Sequence, residues 1–334
     1  MRGVQIWLYC LCLMVFAMVL LGGATRLTDS GLSITEWRPL IGMIPPLSDL
    51  DWQSVFQKYQ QIPEYAQVNE GMSLDQFKRI FWWEWSHRLV GRLVGLVAIA
   101  GFVFFWIKQW LTRPLALRLV LLIALGGLQG FIGWWMVSSG LGETSRIDVA
   151  PYRLAVHFSL ALLIIAITAW TWMDIGERTR EPAPGRARSV AIALLVLISL
   201  QMVAGALVAG LDAGRTYTDW PLMAGEFVPS AYWSPELYWR SLIEGREATQ
   251  FNHRMLAYCL WFASLAALAV YRRTALATVF ALVSTLVTLQ AGWGILTLIN
   301  AAPLGLALVH QGLGVLVLLA GVRLVWRASP PPAM

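Results

Sequence analysis

Residues 85–107 read WSHRLVGRLVGLVAIAGFVFFWI, an apolar run of the length that crosses one bilayer. Such runs recur along the chain, and we count eight of them: approximately 4–23, 85–107, 116–138, 152–173, 187–210, 250–271, 276–298 and 304–326. The 334 residues are 58% hydrophobic and 13% charged, with a mean hydropathy of +0.62. Soluble domains carry about 25% charged residues, so this composition excludes a soluble enzyme and a disordered protein. The sequence predicts an all-α integral membrane protein with eight transmembrane helices.

Basic residues indicate how the chain is oriented in the membrane. The connections between spans 2 and 3, 4 and 5, and 6 and 7 carry Lys108, Arg113, Arg118, Arg178, Arg180, Arg186, Arg188, Arg272 and Arg273. Arg2, Arg323 and Arg327, near the two ends, fall on the same side of an eight-span chain. The positive-inside rule places this side and both termini in the cytoplasm. The rule also explains the net charge of +6 without a nucleic-acid partner.

The first span and the cysteines favour one compartment. No A-x-A cleavage site follows the first span and no Arg- and Ser-rich transit peptide precedes it, so we expect an uncleaved helix in a bacterial cytoplasmic membrane. Cys10, Cys12 and Cys259 fall inside predicted spans, so no outer-loop disulfide is expected. The opposite side carries two long loops, 24–84 and 211–249. Within the first, residues 47–82 alternate in a way that is compatible with a short surface helix.

The two halves of the chain share motifs in the same order. The first-half motifs are Gly31, Thr35-Glu36-Trp37, Pro39-Leu40, Gly42, Pro45, Ser86-His87-Arg88-Leu89, Leu128-Gln129, Gly133 and Val156-His157. Their second-half counterparts are Gly214, Thr218-Asp219-Trp220, Pro221-Leu222, Gly225, Pro229, Asn252-His253-Arg254-Met255, Leu289-Gln290, Gly294 and Val309-His310. Chance similarity between apolar helices is the alternative to duplication, and the ordered matches disfavour it. Because four helices is an even number, we predict two tandem four-helix bundles, 1–180 and 181–334, related by a pseudo-two-fold axis along the membrane normal.

The chain has only four histidines, and each half contains two. His87, His157, His253 and His310 each lie one to two turns into spans 2, 4, 6 and 8. An ionisable side chain inside a span is costly and suggests function. Interhelical hydrogen bonding and proton relay are alternatives, while a zinc site lacks further ligands beside each pair. Two imidazoles from facing helices that ligate a haem iron fit best, so two pairs indicate two haem sites.

Other residues near the histidines leave two interpretations open. Six glycines either let helices and a flat macrocycle approach closely or reflect ordinary helix packing. They are Gly91, Gly95, Gly126, Gly127, Gly130 and Gly133. Arg88 and Arg254 either pair with haem propionates or snorkel to lipid headgroups.

One position separates the two halves chemically. Glu84 stands three residues before His87, whereas Gln250 stands three residues before His253. Residues at i and i+3 are neighbours on a helix, so Glu84 is expected over the edge of a macrocycle held by His87. A carboxylate can act as a base and an amide cannot, which marks the N-terminal half as the reactive one. The alternative is that Glu84 only stabilises the helix dipole at an interface.

The ordered motifs resemble the haem A synthase family over nearly the whole chain. They are Gly23-Ala24-Thr25-Arg26-Leu27-Thr28, Ser30-Gly31-Leu32-Ser33, Glu84-x-x-His87-Arg88, Leu128-Gln129-Gly130 and the paired histidines. The resemblance implies oxidation of a ring methyl group of haem O to a formyl group, which produces haem A for terminal oxidases. The chain resembles the branch without the outer-loop cysteine pair.

The resemblance also assigns residues and partners. It implies that His87 and His157 ligate the iron of the substrate haem O, that His253 and His310 ligate a permanent haem b, and that Glu84 is the essential acid. Haem O synthase is the implied donor, terminal oxidase assembly the implied acceptor, and the electron acceptor is unknown. A homo-oligomer is compatible with the sequence. The competing interpretations are a dihaem b-type cytochrome that takes electrons from quinol, and a transporter with parallel repeats.

Overall fold

The computed structural model describes residues 1–38, 41–141, 146–176 and 185–330. Within these ranges all regular structure is helical. The helices are α1 (Arg2–Leu27), α2 (Asp49–Tyr59), α3 (Pro63–Gln67), α4 (Leu74–Ile107), α5 (Arg113–Val137), α6 (Pro151–Gly176), α7 (Ala187–Gly210), α8 (Ser241–Glu244), α9 (Arg246–Tyr271), α10 (Ala277–Ile299) and α11 (Leu304–Ala328). All except α2, α3 and α8 are long and apolar enough to cross a membrane. The predicted all-α fold with eight spans is therefore confirmed.

Helix α4 is longer than its apolar run predicts. It has 34 residues and begins at Leu74, well before the predicted start at 85. Ser73 sets that start: its side chain accepts from the Gln76 amide, and the Gln76 side chain accepts from the Ser73 amide. At about 1.5 Å per residue the helix is roughly 50 Å long, so it projects beyond a hydrocarbon core of about 30 Å.

The outer segment before α4 packs on this projecting end. We call its apolar core the outer cluster: Leu32, Trp52, Tyr59, Ile62, Phe77, Phe81 and Val149. The rings of Trp52 and Phe81 lie 4.9 Å apart, centroid to centroid. Helix α2 begins at a capping box formed by Ser48 and Asp51. The short surface helix expected within 47–82 is thus confirmed, and it packs against α4.

A carboxyl group is buried beside the outer cluster. Glu64 is 6% exposed, and its Oε1 accepts from the Tyr59 hydroxyl at 3.2 Å. Burial raises the pKa of Glu64 to about 8, opposed by the bond from Tyr59 and reinforced by repulsion from Asp148. The folded protein therefore keeps this proton up to about pH 8, whereas the unfolded chain releases it near pH 4.5.

Replacement of Glu64 by glutamine should remove this pH dependence. In the wild type the contribution of Glu64 to the free energy of unfolding falls as pH rises from about 4.5 to about 8. The fall is at most about 1.4 kcal/mol per pH unit. Thermal unfolding of purified wild type and Glu64→Gln across this range should therefore show curves that diverge as pH rises. Exposed Glu70→Gln is the matched control. Parallel curves for wild type and Glu64→Gln would contradict the assignment.

The last four long helices form a bundle in which each helix packs on two neighbours. Helix α7 packs on α9, α9 on α10, α10 on α11, and α11 on α7. Its fully buried side chains include Ile198, Phe280, Val283, Leu324 and Trp326. The Trp326 indole donates to Asp174 Oδ1 at 2.8 Å. In this ring α9 and α11, which carry His253 and His310, are diagonal partners.

The described residues form two compact units, 13–161 and 1–12 with 162–334. The predicted division between 180 and 181 lies outside the described residues, and so do Arg178 and Arg180 of the topology argument and Pro39-Leu40 of the repeat. The division into 1–180 and 181–334 stays a prediction. Cys10 and Cys12 lie in α1 and Cys259 in α9, inside spanning helices as predicted.

Candidate functional site

Each of the four histidines lies against a glycine of another helix. A methyl group on the glycine would lie 3.1 Å from the His87 ring at Gly22, 3.0 Å from His157 at Gly133, 3.0 Å from His253 at Gly205 and 2.8 Å from His310 at Gly294. Real β-carbons rarely approach other atoms this closely, so only glycine admits the rings as they stand.

The sequence did not predict these contacts. Gly133 and Gly294 were matched as repeat partners, whereas Gly22 and Gly205 were missed. The signal was present, because Gly22 and Gly205 are as far apart in the chain as Trp37 and Trp220. The two halves therefore hold their first histidine in the same way, through the first helix of each repeat.

We expect Gly294→Ala to displace the His310 imidazole and to weaken retention of the haem that the sequence predicts at that site by about tenfold or more. The new methyl group would lie 2.8 Å from Cε1 of His310. Gly292→Ala is the control, because nothing lies within 4 Å of its position on the same helix. The measurement is the haem-to-protein ratio of the purified variants. Equal haem content in both variants would show that the glycine contact does not hold the ring.

Three glutamines also contact the histidines. Gln129 and Gln290 each donate to the backbone carbonyl of a histidine, His157 and His310, at 3.0 Å. Gln201 on α7 lies 3.1 Å from Nδ1 of His253. The repeat matched the first two glutamines without predicting these contacts, and it missed Gln201, because Met18 occupies the corresponding position of the first half.

The second histidine pair has the spacing of two ligands on one metal. The ring centroids of His253 and His310 lie 6.4 Å apart with an interplanar angle of 82°. A metal that accepts one nitrogen from each ring at about 2.1 Å places the centroids roughly 6 Å apart. Nδ1 of His310 is buried without a hydrogen-bond partner. Among the described residues no group of three or more His, Cys, Asp or Glu could hold a metal. Two donors at the spacing of His253 and His310 fit a haem iron, whose other ligands come from the macrocycle.

Glu84 is 3% exposed and holds the outer loop to α4. Its Oε2 accepts from the Ser33 hydroxyl at 2.8 Å and from the Ile34 amide at 2.7 Å. Its Oε1 accepts from Nε of Arg88 at 3.0 Å. None of these partners was predicted, because they depend on the path of the loop after α1.

The arginine after each first histidine binds the same two loop positions in both halves. Nη2 of Arg88 donates to the carbonyl of Ile34 at 2.8 Å and Nη1 to that of Glu36 at 3.1 Å. Nη2 of Arg254 donates to the carbonyl of Tyr217 at 3.0 Å and Nη1 to that of Asp219 at 3.0 Å. Both loop positions keep the repeat offset of the Thr-acid-Trp motif. The arginines thus bind loop carbonyls, and their pairing with propionates stays a prediction.

Gln250 occupies the place of Glu84, but it donates a hydrogen bond to the loop where Glu84 accepts one. Its Nε2 donates to the carbonyl of Tyr217 at 2.9 Å, and its Oε1 is buried without a hydrogen-bond partner. Tyr217 corresponds to Ile34, whose amide instead donates to Glu84. In both halves an arginine therefore binds the same two loop carbonyls. The residue beside that arginine is an acid in the first half and an amide in the second.

Comparison with known proteins finds relatives over nearly the whole chain. The family model described as cytochrome oxidase assembly protein matches residues 5–322. A protein of Hyphomonas neptunium named heme A synthase is 61% identical over 97% of this chain and 93% of its own length. A heme A synthase of Rhodopseudomonas palustris strain BisA53 is 48% identical over 99% of this chain and 92% of its own. One of Caulobacter strain K31 is 46% identical over 99% and 97%, respectively.

Proposed function

This chain belongs to the cytochrome oxidase assembly family that contains the heme A synthases, and we propose that it is the oxidoreductase that converts haem O to haem A. The observation that carries the proposal is the difference between the halves. Both hold two histidines against glycines, but only the first places a carboxyl group, Glu84, three residues before its histidine.

The two halves take different haems in this proposal. The N-terminal half, 1–180, binds substrate haem O through His87 and His157, and the C-terminal half, 181–334, binds haem b through His253 and His310. The halves are four-helix bundles related by a pseudo-two-fold axis along the membrane normal. A bound haem b supplies reversible one-electron chemistry, which suits electron relay. Arg88 and Arg254 are candidate partners of the propionates.

Glu84 takes a proton or orients the water that supplies oxygen. Conversion of a methyl group and one water to a formyl group releases four electrons and four protons, and the electrons pass to an acceptor outside this chain. A carboxylate offers about four acceptor positions, and Ser33, Ile34 and Arg88 fill them. The Ser33 hydroxyl also lies 3.4 Å from the carbonyl of Ile80. When the hydroxyl turns to Ile80, Oε2 of Glu84 is free to accept a proton.

The same proposal specifies the membrane in which the protein lies and the proteins with which it works. The protein is a multi-pass protein of the bacterial cytoplasmic membrane, with both termini in the cytoplasm and the haem sites towards the outer face. Haem O synthase supplies its substrate and terminal oxidase assembly takes its product. The lipid bilayer surrounds the spans, and the chain is able to form a homo-oligomer.

Extraction of the bound haems tests the function directly. The protein is expressed in a host that makes haem O but has no haem A synthase of its own, and the haems are separated by chromatography. We expect haem A or its hydroxylated precursor together with haem b. Haem b alone would favour the dihaem cytochrome that oxidises quinol, and absence of a Soret band would favour a transporter.

A further inference from the structure

Two side-chain hydrogen bonds join α9 to α10 across their interface, one of them exposed and the other buried. Nε1 of Trp261 donates to Oγ1 of Thr288 at 3.1 Å. Oγ of Ser284 donates to the carbonyl of Ser264 at 2.8 Å. Ser264 and Ser284 are fully or almost fully buried. We call this interface the second seam.

The corresponding interface between α4 and α5 has neither bond. At the repeat offset of the first histidines on α4 and α9, Trp261 is replaced by Gly95. At the repeat offset of the glutamines on α5 and α10, Thr288 is replaced by Gly127. By the same two offsets the serine pair of the second seam is replaced by Ala98 and Ile123, which have no polar side-chain atoms. We call the α4–α5 interface the first seam.

The first seam is also less tightly packed. Nothing lies within 4 Å of where a β-carbon would be at Gly95 or at Gly127. Its residue Gly126 is exposed, whereas the counterpart, Val287, is 3% exposed. Gly95 lies two helical turns, about 12 Å, beyond His87 along α4. In the predicted topology the open part of the seam therefore lies about two turns deeper in the membrane than His87.

We propose that the first seam is the lateral opening through which a haem with a long apolar side chain reaches and leaves His87 and His157, and that the bonds of the second seam keep the other haem in place. This inference rests on the proposed function, because haem O carries a farnesyl chain. Such a chain partitions into the bilayer, so its haem approaches from the lipid phase. A product must also leave, whereas a permanent haem must not.

The polarity of the two seams fits this division. In a hydrocarbon environment an interhelical hydrogen bond has few alternative partners, so it resists separation of the helices. The first seam lacks both of these side-chain bonds, so they do not oppose separation of α4 and α5. Trp261 additionally fills the place where the first seam has only the hydrogen of Gly95. Residues 95 and 127 thus determine haem exchange in one half, and residues 261 and 288 in the other.

Transfer of the second seam's bond to the first seam tests the inference. The full chain with its resident haem is placed in phosphatidylcholine nanodiscs, and the uptake of added haem O is followed by the Soret absorbance. The double variant Gly95→Trp/Gly127→Thr should take up haem O about tenfold more slowly or worse, while the amount bound at equilibrium changes less than about twofold. Leu96→Trp, a bulky change at an exposed neighbour, is the control and should load as fast as wild type.

The outcomes separate the inference from the function on which it rests. Uptake by the double variant at the wild-type rate overturns the opening while haem A formation by wild type upholds the function. Lower equilibrium binding of haem O with an unchanged uptake rate also overturns the opening. The two glycines would then contact the bound haem and have no part in its entry. If wild type binds haem O but never converts it, the function fails and the opening stands on the uptake rates.

A reciprocal variant keeps the test decisive if the first double variant does not fold. Trp261→Gly/Thr288→Gly removes the bond of the second seam and should release haem b to an excess of apo-myoglobin at least about tenfold faster than wild type. Leu265→Ala, an exposed position on the same helix, is its control. Release at the wild-type rate would show that the second seam does not retain the haem.

Discussion

Glu84→Gln is expected to lower haem A formation by at least about 100-fold, because an amide of the same shape cannot take up a proton. The second half shows that the fold accepts this residue: Gln250 stands in the equivalent place and donates to the carbonyl of Tyr217. Arg254 beside it donates to the carbonyls of Tyr217, Asp219 and Leu222. The variant should therefore fold with its outer loop in place, and the measurement is haem A formed per enzyme.

Two controls make the Glu84 result specific. Gln250→Ala removes the equivalent side chain in the other half and should leave most of the activity. Thermal unfolding of Glu84→Gln measures the stability that is lost with the ion pair between Glu84 and Arg88. Because Glu84 is buried, removing its charge leaves Arg88 without its partner at a cost in free energy. If Glu84→Gln formed haem A at the wild-type rate, Glu84 would have only its structural role as the anchor of the loop.

His310→Gly is expected to remove nearly all resident haem, with binding weaker by about 100-fold or more. The ring lies on the bundle diagonal opposite His253 at 6.4 Å, so under the proposed assignment its loss leaves one axial ligand. The purified variant should lose the spectrum of an iron with two imidazole ligands. Added imidazole should restore it, because the truncated side chain leaves a space of that shape.

His157→Gly is the matched variant in the first half. Its haem b spectrum should be unchanged, while retention of haem O falls. If His310→Gly kept its haem with an unaltered spectrum, the second pair would not be a ligand pair. If His157→Gly lost haem b, the assignment of haems to the two halves would be wrong.

The eight spans could be predicted because each is an apolar run whose length matches a bilayer. The extension of α4 could not, because its part before residue 85 includes Asp75, Lys78 and Arg79 and is held by contacts with the outer cluster. A hydropathy pattern reports burial in lipid, whereas this part of the helix is stabilised by aromatic side chains from a separate segment.

The sequence predicted the candidate ligands of the site, which stay a prediction, and did not predict the residues that support them. Four histidines at repeat positions are visible in one sequence, and Glu84 stands out because Gln250 replaces it. The partners of Arg88 are loop carbonyls, which carry no sequence signal, so neither propionates nor headgroups could be preferred beforehand. Gln201 was missed for a related reason: its contact with His253 has no counterpart at Met18.

The contact between each imidazole and a glycine has a consequence for how the two halves diverge. A ring that lies against the main chain takes its position from the helix axis, so changes in surrounding side chains leave it where it was. A longer first outer loop, an acid in place of an amide and glycines in place of tryptophan and threonine are therefore compatible with the same contact between ring and main chain in both halves. The position of each imidazole is thus insensitive to the differences that separate the two halves.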